Sequence, residues 1–89
     1  MARYFFDVHN STLMRDTEGS ECAGFEEIRR EAMLMLPAFA KDKIPKDGDR
    51  QAFTMLVRNE AHVTVYTATL TFAGLWLGED VPPIDEPSD

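Results

Sequence analysis

Residues 50–72 read RQAFTMLVR, NEA, HVTVYTATLTF, and this stretch decides the fold. Phe53, Met55 and Val57 alternate with Thr54, Leu56 and Arg58; Tyr66, Ala68, Leu70 and Phe72 alternate with Val65, Thr67, Thr69 and Thr71. Successive strand side chains point to opposite faces, so this period-two pattern in β-branched and aromatic residues predicts two strands. Asn59-Glu60-Ala61 between them predicts a hairpin.

The chain's opening repeats the pattern. Arg3–His9 predicts a strand with Tyr4, Phe6 and Val8 on one face and Phe5, Asp7 and His9 on the other. Asn10-Ser11 reads as a two-residue turn, Thr12–Asp16 as the return strand, and Thr17–Ser20 as a second turn. From Phe25 the period lengthens. Phe25, Ile28, Ala32, Met35, Leu36 and Phe39 follow helical spacing, with Glu26 and Arg30 in the favourable i,i+4 order. Gly24 is a weak N-cap. Pro37 removes one backbone bond and crowds the preceding turn, so a kink is expected near it. IPKDGD, Ile44–Asp49, reads as the loop that closes the helical region. GLWLG, residues 74–78, continues the last strand or turns back across its end.

These elements assemble as an α+β fold, ββαββ, with a four-stranded antiparallel sheet covered on one face by one amphipathic helix. The covered face takes Tyr4, Phe6, Val8, Phe53, Met55, Val57, Tyr66, Leu70 and Phe72. The uncovered face carries Phe5, Leu56, Val63 and Val65 among Asp7, His9, Arg58, Thr67 and Thr69. It is too apolar for a merely solvated face, so it reads as a contact surface. Residues 1–78 form the single domain and residues 79–89 an acidic tail expected to be disordered.

Charge sharpens this division. The net charge is −7, but five acids and no Lys or Arg fall in residues 79–89, which leaves nine basic and eleven acidic side chains in residues 1–78. Phosphate backbones reward clustered positive charge, so nucleic acid is not the expected partner. There is no apolar run of membrane-spanning length and no signal-peptide pattern, so the expected location is the cytoplasm. The one cysteine, Cys22, cannot form an internal disulfide. Its place before the helix could lower its pKa through the helix dipole, but a buried structural thiol is the simpler expectation.

Asp7 and His9 share a strand face, and a carboxylate orienting an imidazole is a catalytic element. With Arg15 they make the enzyme alternative, but no nucleophile accompanies them. His9 and His62 lie in different hairpins, and neither His-x-x-x-His nor Cys-x-x-Cys spacing occurs, so no metal or cofactor is expected. Asp16 and Glu18 beside Gly19 read as turn-capping acids. A second alternative is a nucleic-acid-associated or toxin–antitoxin accessory regulator. It would need Arg29, Arg30, Lys41, Lys43 and Lys46 to form one basic patch.

The opening RYFFDVHN, the following RDTEGSE, the Ala/Leu-rich helix, LVRNE and the closing strand resemble a family of small bacterial proteins common in alphaproteobacteria, domain of unknown function 6894. The resemblance covers about residues 2–72. Members typically read Asp-Gly where this chain has Asn10-Ser11, and Asp-Gly again near Ala61-His62. It implies a fold but no activity. The leading expectation is therefore a small cytoplasmic binding or regulatory module acting through protein contacts. It would be a homodimer through the uncovered face at Phe5, Asp7, His9, Arg15, Leu56, Arg58, Val63 and Val65.

Overall fold

The computed structural model describes residues 1–78, with Asp47 by its backbone alone; the predicted acidic tail lies outside the described residues. The elements are β1 (Ala2–Asn10), β2 (Thr12–Met14), β3 (Ser20–Cys22), α1 (Phe25–Asp47), β4 (Arg50–Arg58) and β5 (Thr64–Ala73). The α+β fold with one helix on an antiparallel sheet is as expected. Across the sheet β1 is flanked by β4, and β4 by β5, while β2 and β3 both pair with the other edge of β1.

The first return strand is broken where one run was expected. β2 pairs Val8 with Met14, and β3 pairs Tyr4 with Ser20. Three residues of β1, Phe5–Val8 exclusive of Val8, therefore lie opposite the five residues 15–19, which leave the sheet edge as a loop. The first turn also differs. Asn10 pairs with Thr12, and Ser11 alone forms the tip with a left-handed φ of 61°.

The core lies between α1 and one face of the sheet. Ile28, Ala32, Leu36 and Ala40 recur every four residues and are buried against Phe6, Val8, Phe53, Met55 and Val57. Phe39 meets Phe53 edge to face, with ring centroids 6.0 Å apart. Two expected core positions fall outside it. Phe25, at the first turn of α1, is 82% exposed, and Phe72, near the end of the outermost strand, is 39% exposed. Cys22 is buried, and burial pushes its thiol pKa up, with Glu27 and Glu31 adding to the rise.

α1 continues through Pro37 and Pro45 to Asp47, beyond the loop predicted from Ile44. An interior proline costs about 3 kcal/mol, and burying an Ile or Leu returns about 1.5–3 kcal/mol, so a few buried side chains offset it. The far end is held from the sheet. Gln51 is buried, and its Nε2 donates to the carbonyls of Ile44 (2.8 Å) and Gly48 (2.9 Å), capping the last turn. Gly48, with a φ of 101°, then turns the chain into β4.

The N-terminal end has no such support. Gly24 occupies the N-cap in an extended conformation with no side-chain cap, and a Cβ there would meet nothing within 4 Å. Gly24→Asp is expected to raise the melting temperature, by a few tenths of a kcal/mol in stability, through a carboxylate that accepts first-turn amides. A thermal melt followed by circular dichroism checks this, and a lower midpoint would contradict it.

Candidate functional site

The densest polar cluster stands on the side of the sheet that α1 does not cover. Asp7 in β1 and Arg58 at the end of β4 lie on that face, one pair apart in the register, since Phe5 pairs with Arg58 and Asp7 with Leu56. The Asp7 and Arg58 side chains are only 6% and 11% exposed, and Arg58 Nε donates to Asp7 Oδ2 at 2.8 Å. The guanidinium also lies over the Phe5 ring, 4.5 Å from its centroid.

Residues 15–19 close over this pair. The Asp16 N–H donates to Asp7 Oδ1 (2.8 Å), and Arg58 Nη2 donates to the Asp16 carbonyl (3.0 Å). The Asp16 carboxylate replaces the missing edge strand. Its Oδ2 accepts the Phe6 N–H at 3.1 Å, and its Oδ1 accepts the N–H groups of Glu18 and Gly19. A buried backbone donor without a partner costs free energy, so Asp16 is what allows the edge to open here. Gly19 is needed for two reasons. Its φ is 75°, and a Cβ would stand 2.9 Å from both Arg3 Cγ and Phe5 Cε1.

The hairpin β4–β5 joins at the same corner. Asn59 Oδ1 accepts the N–H groups of Ala61 and Val63, and His62 takes a left-handed φ of 64°. Arg58 Nη1, a donor only, lies 3.3 Å from His62 Nδ1. The connection spans residues 59–63, which leaves Val63 outside β5.

Phe5, Asp7 and Arg58 thus come together, with Leu56 beside them half-buried. His9 and Arg15 are exposed and take no part in the network, and the combination of Asp7, His9 and Arg15 does not converge. Val63 and Val65 are 55% and 39% exposed. Asp16, Gly19 and Asn59 were read only as turn residues or not singled out. The signal available was the acid–acid–glycine spacing Asp16, Glu18, Gly19 opposite an aspartate in a strand.

Chemically, the arrangement is a buried ion pair with hydrogen bonds on both partners. Both Asp7 oxygens accept a hydrogen bond, and each Arg58 nitrogen has a partner within the knot. Among the described residues no group of three or more His, Cys, Asp or Glu side chains is placed to hold a metal ion, and no helix is long and apolar enough to cross a membrane.

Burial pushes the Asp16 carboxyl up, but the hydrogen bonds from Gly19, Phe6 and Glu18 and the charge of Arg58 outweigh it and hold the pKa below its ordinary 3.8. The folded state therefore binds this proton less readily than the unfolded chain. Its contribution is complete above the ordinary carboxylate value and is lost as pH falls through the depressed one. Asp16→Asn is expected to lower the melting temperature at neutral pH, with the gap to the native protein narrowing below about pH 4. Melts across that range check this, and a constant gap would contradict it. Removing one partner of a buried pair leaves the other charge stranded, so Arg58→Ala is expected to cost about 3–5 kcal/mol in urea unfolding. Arg58→Lys should recover only part, because an ammonium cannot both stack on Phe5 and bond on three sides.

Residues 3–71 match the profile of the family described as a domain of unknown function, DUF6894. No curated protein and no solved structure matches the chain.

Proposed function

Because the chain belongs to the DUF6894 family, whose description assigns no activity, its role has to be argued from its own surfaces, and we propose a small cytoplasmic protein-binding module that works as a homodimer. Its contacts are made by the uncovered side of the sheet.

The observation that carries this reading is the contrast across that side. At the β1 end, Asp7, Arg58 and residues 15–19 form a hydrogen-bonded knot. Towards β5 the same side carries half-buried Leu56 among Thr67, Thr69 and Thr71, with exposed Val63 and Val65 at the bulge where β5 begins and no charged side chain between Thr64 and Ala73. Exposed apolar groups gathered on a neutral sheet favour a protein contact. A nucleic-acid role draws less support. Arg29 stands 3.8 Å from Glu26, and Lys43 lies over the Phe39 ring, so cations of α1 are interleaved with acids and aromatics.

Size-exclusion chromatography with light scattering is expected to give a dimer at micromolar concentration. Val65→Asp should shift it towards monomer without changing the far-UV circular dichroism. A monomer at every concentration for the native chain would overturn the proposal.

A further inference from the structure

We propose that the two copies join at the outer edge of β5, antiparallel about a two-fold axis beside Ala68, so that the sheets run on as one. This rests on the homodimer proposed above and puts its joint at the strand that edges the uncovered side, which leaves the side itself for contact with a further protein.

The direction of the backbone groups in β5 follows from the hydrogen bonds. Phe6 donates its N–H to Asp16, away from β4, while the Arg3 N–H reaches Glu60 Oε1 in the β4–β5 connection. Odd-numbered residues of β1 thus face β4. Carried through the register of Asp7 with Leu56 and Met55 with Ala68, even-numbered residues of β5 face β4. The Gly74 N–H, which donates to the Asp49 carbonyl at 2.7 Å, agrees. Beyond the bulge at Val65, the residues Thr67, Thr69, Thr71 and Ala73 therefore direct their N–H and C=O groups outward.

Among the described residues β5 has β4 as its one neighbour. An edge of ten residues is commonly guarded by Lys, Pro, a bulge or an inward charge. TVYTATLTFA has no Lys, no Pro and no charge, and its one register shift, where Arg58 pairs with Thr64 but Val57 with Tyr66, confines the bulge to Val65 at the start of the strand.

The occupant is a second copy because the strand complements itself. With Ala68 on the axis, Thr67 exchanges backbone bonds with Thr69 of the other copy, on both sides of the axis. Tyr66 faces Leu70 on the helix side, and Ala68 meets Ala68 at the close, non-hydrogen-bonded position where a small side chain fits. Every pairing is neutral against neutral, so the two-fold brings no like charges together. The groove of about 250 Å³ between Met33 and Pro37 of α1 and Tyr66, Ala68 and Leu70 of β5 then opens onto its own symmetry mate.

The same axis resolves two exposures at opposite ends of the strand. Leu75 and Trp76 are 60% and 70% exposed beyond the end of β5, and Val63 is 55% exposed before its start. Antiparallel pairing carries the first group of one copy to the second group of the other.

Ala68→Cys tests the axis. Oxidation of the native-state variant is expected to give a disulfide-linked dimer on a non-reducing gel, since this pair brings Cα atoms within disulfide range. The unmodified chain, whose Cys22 is buried, gives none. Thr67→Pro removes an outward N–H that β4 does not use, and should give a folded monomer by light scattering and circular dichroism. A native dimer whose Ala68→Cys variant does not cross-link, or whose folded Thr67→Pro variant stays dimeric, would overturn the edge joint and leave the homodimer standing. A native monomer would overturn both.

Discussion

The ion pair between Asp7 and Arg58 is the constraint on which the front of this sheet depends. Placing a carboxylate and a guanidinium on a strand face at such low exposure is favourable only if each remaining lone pair and N–H finds a partner. Asp16 supplies that condition with its own backbone, bonding Asp7 through its N–H and Arg58 through its carbonyl. For its backbone to reach, residues 15–19 have to leave the sheet edge. Leaving exposes the Phe6 N–H, which the Asp16 side chain then accepts. The broken return strand, the left-handed Gly19 and the close approach to Phe5 are all consequences of closing one charge pair.

The parts of the fold that follow a period were legible in the sequence. β4 buries Gln51, Phe53, Met55 and Val57 in strict alternation, and α1 buries Ile28, Ala32, Leu36 and Ala40 at four-residue spacing. What was not legible depends on contacts remote in the chain. Alternation places Asp7 on the uncovered side, and nothing local shows that residues nine places on will cover it. The end of α1 was hidden for the same reason. IPKDGD has the composition of a loop, yet its first turn is held helical by an amide from Gln51, which the sequence places in the next strand. Phe25 shows the converse: helical spacing at the first turn does not bring a side chain onto the sheet.

The two sides of the sheet are thus finished differently. One is covered by a helix that tolerates two prolines because its inner face is continuous. The other is closed at the β1 end by a charge knot and left apolar and neutral towards β5. The charge knot and the candidate contact surface adjoin: Leu56 pairs with Asp7, and Thr64, between Val63 and Val65, pairs with Arg58.

Gln51 has one further consequence. A single side chain from the start of β4 holds the last carbonyls of α1, while its Oε1 is buried with no partner among the described residues. Helix termini commonly fray independently of the sheet beside them. Here the final turn of α1 cannot open without releasing an amide from the strand, so amide protons in both segments should exchange with solvent in a single cooperative opening.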